Sequence, residues 1–527
     1  MEPKVLQGPS DNSKVPRKSL GQLLLQVCNT HRNNTAVIDI KSGESLTFGQ
    51  LCQLAKNLAA SLRLLGAKKD SMVGVVAENS HKFLVTYLAG FFLATPLHLI
   101  NPTSTEYELK ELLTLSKPTI VFCSKSSLGN VVKVKDELGF IKTVISFDGV
   151  VESKQTILAY ADLIKESKGF QIEEGVDLEN QVGLVLNSSG TSGLPKGVMV
   201  TEKMLWLHFV HSRDSDSFNM KPQEVVPLVM PFFHMYAIHF INVALYSGAT
   251  IAALDRFNPE IFLETCEKYQ VEQLVLVPYL INFLTKTLLV PLYDMSSVRQ
   301  VWTAGSSLMD EDAKKIKKRL KLDKLHVLYG LTESGIAVHT SDSKGGSCGT
   351  VLFGHRVKIV DPETGVHHGP HHHGEICIGD NVMKGYLANP EKTRETIDPE
   401  GFVRTGDIGY YDDDGVVYVV GRSKDIIKYK SFQVSPVELE NILVKHPQVK
   451  DAAVVGKTDR KCGEVPVAFV VREVGGTATE EEICDFVAGF VSAEKRLHGG
   501  VRFVEAIPKN ITGKVSRKEL TRRVEEV

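Results

Sequence analysis

Asn187–Val200 reads NSSGTSGLPKGVMV, and the rest of the chain is best understood outward from it. Glycines let backbone approach a ligand closely, hydroxyls and free N–H groups donate hydrogen bonds, and Lys196 adds one positive charge. The expected guest is therefore a chain of phosphates. The segment is not a Walker loop. That pattern sets Gly-Lys-Ser/Thr at the mouth of a helix, whereas here Lys196 follows Pro195 and precedes Gly197.

Short apolar runs lie on both sides of this loop. SMVGVVAEN, TIVFCS, QVGLVLN, EVVPLVM, ATIAALD, QLVLVP and SVRQVWTAG read as strands, and stretches such as Phe48 to Leu65 and Pro259 to Tyr269 read as helices. The alternation predicts an α/β fold, with a large N-terminal region of parallel-rich sheets covered by helices. Near Gly421 the pattern changes. TGDIGYYDDDGVVYVVGR is a hairpin whose Asp414-Gly415 turn suits positive φ, and after GRSKDIIKYK the chain becomes a small α+β unit. Its helix starts are announced by Ser435-Pro436-Val437-Glu438, Thr479–Glu482 and Ser516–Glu519. The expected division is 1–420 and 421–527, the second part being mobile.

The apolar run Phe83–Ile100 approaches membrane-spanning length, but Pro96 and His98 interrupt it, so it predicts a buried helix followed by a strand. The histidine-rich VHHGPHHHGE at 366–375 carries Gly369-Pro370 between its histidines and reads as a loop joining two strands rather than a metal site. Charge is balanced, with 61 basic and 63 acidic residues in 527, which removes any global case for nucleic acid or an anionic membrane. The eight cysteines are scattered with no C-x-x-C pair, favouring a reducing compartment. The N-terminus has no apolar secretory core and the chain ends Glu525-Glu526-Val527 rather than Ser-Lys-Leu, so the expectation is a cytoplasmic protein without a transmembrane segment. A monomer is expected.

Four separated pieces call for one explanation: the loop at Asn187, YGLTE at Tyr329–Glu333, TGD at Thr405–Asp407 and ITGK at Ile511–Lys514. In this order, with Arg422 between the last two, they closely resemble the adenylate-forming enzymes: acyl-CoA synthetases, coumarate:CoA ligases and firefly luciferase. The resemblance runs from about Leu46 to Leu520. It implies that a carboxylic acid, fatty or aryl, attacks the α-phosphate of ATP with loss of pyrophosphate, and that CoA then takes the acyl group as a thioester. Both reactants of the first step are anions, so cations and oriented donors are needed where charge gathers.

Under that resemblance Ser188, Ser189, Gly190, Thr191, Ser192, Gly193 and Lys196 hold the β- and γ-phosphates. Gly305, Tyr329 and Gly330 belong to the nucleotide site, Thr332 meets the α-phosphate and Glu333 holds Mg²⁺. Asp407 takes both ribose hydroxyls and Arg422 belongs to the hinge. Lys514 is the catalytic lysine of adenylation, and Lys428 with Gln433 replaces it for the second half-reaction after domain rotation. His234 gates an acyl pocket walled by Tyr236, Leu331 and Ala337, and Arg213 matches an arginine that luciferases place at luciferin. Outside the family, Thr332-Glu333 alone would read as a helix start.

The chain also departs from the family pattern. Ile336 stands where a luciferase pocket carries serine, Ser431 where the family usually has glycine, and Ser306 and Leu308 replace commoner residues in GSSLM. Ile336 weakens the expectation of a luciferin pocket, and Ser431 bears on the thioester step. Two alternatives stay open: a luciferase-type monooxygenase that oxidises an adenylated luciferin with O₂, and a non-catalytic binding protein on the same scaffold.

Overall fold

The structure is a computed structural model that describes residues 4–10, 15–69, 71–149, 157–165, 169–188, 195–213, 218–305, 308, 310–340, 347–362, 364–422, 427–430, 432–434, 436–508 and 515–525. The fold is mixed α/β, with three sheets in the large N-terminal region and a fourth in the smaller C-terminal part.

In the eight-stranded sheet the short runs Val73–Val76, Leu97–Ile100 and Ile120–Cys123 lie parallel, and all four residues of each are buried. Strands apolar on both faces must be covered on both faces, which is what the alternating helices do. The helix Phe48–Leu64 shows how. Thr47 and Gln50 close a capping box at its start, and Leu51, Ala55, Leu58 and Leu62 recur on one buried face. Each such leucine contributes about 1.5–3 kcal/mol by leaving water.

The helix His81–Phe92 is buried at nearly every position, and the strand Leu97–Ile100 comes after it, so the apolar run of the sequence is core. Among the described residues, no helix is long and apolar enough to cross a membrane. A four-stranded sheet aligns Val225–Leu228, Thr250–Ala253 and Thr35–Asp39 in parallel, with Ser45–Thr47 antiparallel at its edge.

The ten-stranded sheet departs from simple alternation. Gln273–Leu276, Gln300–Thr303 and Lys324–Leu331 are parallel, but Lys324–Leu331 is joined through Thr332–Ser334 to Gly335–Thr340 and pairs antiparallel with it, as Gly335–Thr340 does with Ser347–Val351. Tight loops can only reverse a strand, whereas a parallel return needs a longer crossover. YGLTE therefore ends a strand at Leu331 and turns into the strand Gly335–Thr340, so Thr332-Glu333 caps a hairpin and not a helix. His367–His373 lies in the connection between the strands His355–Val360 and Gly374–Asp380, as the turn residues predicted.

The C-terminal sheet joins Phe432–Val434, Ile427–Tyr429, Gly463–Arg472, Val449–Asp459 and Val501–Phe503, and has apolar clusters of its own. Thr479 and Glu482 make the expected capping box.

Candidate active site

One cavity of about 730 Å³ lies where the eight-stranded and ten-stranded sheets meet the C-terminal sheet. Ser188 ends its strand, Lys196 begins the next, and the two face each other as antiparallel partners. Ser189, Gly190, Thr191, Ser192 and Gly193, expected to hold the phosphates, lie outside the described residues, as do Ser306, Lys424, Ser431 and Lys514, expected to be the catalytic lysine.

Opposite this pair stands the Thr332-Glu333 hairpin tip. Its sharp reversal depends on Gly330, where a Cβ would sit 1.9 Å from the Gly335 carbonyl oxygen, and on Gly335, with φ of +64°. Glu333 Oε1 accepts two hydrogen bonds, from Ser188 Oγ at 2.8 Å and from the Tyr386 hydroxyl at 2.9 Å. The Lys196 ammonium lies 4.9 Å from the centre of the Tyr386 ring. Burial and the charge of Glu333 push the Tyr386 phenol well above its ordinary value, so it remains a donor.

Tyr386 is the site residue that the sequence did not reveal. It belongs to a two-residue strand, and only the pairing of Tyr386 with Val198 carries it to Glu333. Its one local signal is the Gly385-Tyr386 pair itself, where φ of +146° at Gly385 marks an unusual bend.

Asp407 lies behind the cavity wall made by Thr405 and Gly406 and accepts from the Tyr329 hydroxyl at 3.0 Å. Its backbone pairs with that of Arg422 across the hairpin. Lys428 donates its backbone N–H to Glu464 at 2.6 Å. Burial pushes the thiol of Cys348 up to about 11; the charge of Asp407 adds to this and that of Lys428 opposes it, so both groups act on one neighbourhood.

The apolar end is formed by His234, Tyr236, Gly305, Leu331 and Ile336. His234 precedes the helix Met235–Ser247, and burial pushes its imidazole down to about 4, so the ring is neutral near pH 7. Its Nε2 has no partner among the described residues, and its ring meets Phe432 of the C-terminal sheet at 6.0 Å. The Tyr236 hydroxyl donates to the Leu276 carbonyl at 3.1 Å.

Two expected pocket residues lie elsewhere. Ala337 is fully buried in the core beneath the ten-stranded sheet. Arg213 stacks over Tyr246, 5.3 Å from its ring centre. Tyr246 is near the far end of the helix that begins after His234, eleven residues from Met235, which at 1.5 Å per residue is about 16 Å away.

The description "AMP-binding enzyme" fits residues 24–387, and "AMP-binding enzyme C-terminal domain" fits 438–514. The chain belongs to the AMP-binding enzyme family. It is 36% identical to a luciferin 4-monooxygenase of Nipponoluciola cruciata over 535 residues, covering 98% of this chain and 96% of that protein. It is 37% identical to 4-coumarate–CoA ligase 1 of Petroselinum crispum, covering 93% and 91%. A natural red-emitting luciferase of Phrixothrix hirtus superposes with a TM-score of 0.73 at 33% identity, covering 99% of this chain and 98% of that one. The chain is thus an adenylate-forming enzyme with relatives in both the ligase and the luciferase branches.

A member of this family uses ATP, and the donor set at Glu333 bears on how a divalent cation would sit beside it. Among the described residues no three His, Cys, Asp or Glu side chains gather to hold a metal ion by themselves. A single carboxylate oriented by two hydroxyl donors fits Mg²⁺, which keeps waters and takes its remaining oxygens from phosphate.

Proposed function

We propose that this enzyme is an AMP-forming carboxylic acid:CoA ligase, working in the cytoplasm on a fatty or aryl acid. The observation that carries the reading is the convergence of Ser188, Lys196, Thr332, Glu333 and Tyr386 on one cavity, with Phe432 of the C-terminal sheet against His234 at its apolar end. Lys196 and the Thr332 hydroxyl face the phosphates of ATP, and Asp407, held by Tyr329, accepts the ribose hydroxyls. Glu333 would hold Mg²⁺, which when bound neutralises charge on the phosphates.

The acid's carboxylate oxygen bonds to the α-phosphorus as the bond to pyrophosphate breaks, and Lys514 bridges the two anions. In the second step the CoA sulfur bonds to the acyl carbon and AMP leaves. This reading assigns the second step to the strand pair that carries Lys428 and Gln433, because its Phe432 lines the cavity. The neutral ring of His234 closes the acyl end without adding charge.

The luciferase alternative draws on the luciferin 4-monooxygenase relatives, but its pocket features are weaker here. Ile336 presents an apolar face to the cavity, and Arg213 lies off it. The test is a panel of carboxylates with ATP and Mg²⁺, run with and without CoA, read by chromatography for AMP and acyl-CoA and by luminometry. AMP and a CoA thioester are expected, and Lys514→Ala should retain less than a tenth of the adenylation rate. ADP as the main nucleotide product, or light without thioester, overturns the reading.

A further inference from the structure

On another wall of the same cavity, two helices present their N-termini to one lysine, and Glu108 and Lys495 line that wall. The helix Glu106–Ser116 begins at a capping box in which Thr105 accepts from the Glu108 N–H and the Glu108 carboxylate accepts from the Thr105 N–H at 2.9 Å. The helix Pro436–Leu443 of the C-terminal part carries Glu438 in its first turn. Lys495 Nζ donates to Glu108 at 3.0 Å and to Glu438 at 2.9 Å, and the two carboxylates are only 4% and 7% exposed.

Each helix N-terminus carries roughly half a positive charge. Two carboxylates thus balance one ammonium and two helix ends, and the sum is close to neutral. Removing either carboxylate leaves like charges facing one another, so the pose that holds them together loses its advantage over one that separates them. Burial disfavours the charged form of Lys495, yet the two carboxylates outweigh it and hold the ammonium well above the ordinary lysine value. Beside the triad the Thr105 hydroxyl donates to the Phe490 carbonyl, and Lys445 donates to the Tyr107 hydroxyl.

We infer that Glu108, Lys495 and Glu438 form a catch that selects the pose in which the C-terminal strands lie against His234, with Lys495 as its positioning residue. The inference deepens the proposed two-step cycle and rests on it. If the C-terminal part turns to deliver Lys514, this triad must open, and its strength sets how the two poses share the population. A three-member ionic contact closes only when both helix ends are in register, so it discriminates between poses more sharply than the apolar contact beside it.

The test reads the pose without turnover, so it stands apart from whether the enzyme ligates CoA. Thr103 and Glu494 approach to 3.4 Å across the same junction. With Cys462→Ser and Cys484→Ser as background, Thr103→Cys and Glu494→Cys are joined by a short bis-maleimide and the cross-linking rate is measured. Glu108→Gln removes the charge but keeps the capping box, because glutamine makes the same reciprocal contact. It is expected to slow cross-linking about tenfold at unchanged Tm, as is Lys495→Met, with Lys495→Arg restoring most of the rate. Equal rates in parent, Glu108→Gln and Lys495→Met overturn the inference. So does slowing that tracks a fall in Tm and that Lys495→Arg fails to restore.

Discussion

Two polar clusters in the N-terminal region make an instructive pair. Around Glu333 the polar groups line a cavity: Ser188 and Tyr386 orient its carboxylate, and Tyr329, also on the wall, orients the Asp407 carboxylate just behind it. Beside the helix Met235–Ser247 lies a second cluster, in which the rings of His208, His239, His211 and His355 succeed one another at 4.6, 5.7 and 6.3 Å. These histidines are packed among Phe218, Phe240 and Trp302, with His326 stacked on Trp302 at 3.6 Å. Neither nitrogen of His239 has a partner among the described residues. The first cluster faces a cavity; the second is denser in titratable groups, and none of its histidines lines that cavity. Density of polar groups therefore does not make a site, whereas oriented groups beside empty volume do.

The sharpest way to break this contrast is at Glu333. Glu333→Gln should lower AMP formation by about 10²–10³-fold, as loss of an oriented charge in an active site does, with Tm nearly unchanged. AMP formation within tenfold of the parent would erase the distinction between the clusters. Gly330→Ala attacks the hairpin that carries Glu333. Its Cβ would strike the fixed Gly335 carbonyl, so denaturant unfolding should show a loss of about 2–3 kcal/mol.

The histidine cluster should announce itself through acid sensitivity instead. Burial pushes His355 down to about 3 and His326 to about 2, and holds His208 and His239 well below the ordinary value, so all are neutral in the fold. The unfolded chain takes up protons below about pH 6.5, so their contribution is intact above that pH and is lost as pH falls toward the folded values. Each group then removes about 1.4 kcal/mol per pH unit. His239→Leu should make the acid limb of a stability–pH curve shallower by about one proton; an unchanged slope would deny that His239 is buried neutral. The smallest effect is expected at Arg213, whose replacement by alanine should change the KM for the acid less than twofold, about 0.4 kcal/mol. A tenfold rise would return Arg213 to the pocket and revive the luciferin alternative.

The features legible in the sequence were local. The four-residue apolar strands and the Thr479–Glu482 capping box carry their signals within a few neighbouring residues. Tyr386 escaped because it reaches Glu333, 53 residues away, only through the edge pairing of a two-residue strand. Arg213 and Ala337 were expected in the pocket by alignment of neighbourhoods, but a helix of thirteen residues separates the ends of such a neighbourhood, and one strand residue faces core while the next faces the cavity. The antiparallel turn after Lys324 was hidden for a similar reason, since a buried strand reads the same whichever way its partner runs.

The rung that pairs Asp407 with Arg422 has a mechanical meaning. The chain leaves the ten-stranded sheet at Arg422, so torque from the C-terminal part enters the body at the same rung that carries Asp407, the residue to which the proposed function gives the ribose hydroxyls. Hydrogen-bonded partners on one rung shift together, with no compliant joint between them. Under the proposed function, gripping a nucleotide there would stiffen the pivot and turning the pivot would strain the grip, so the hairpin would serve as lever and clamp in one piece.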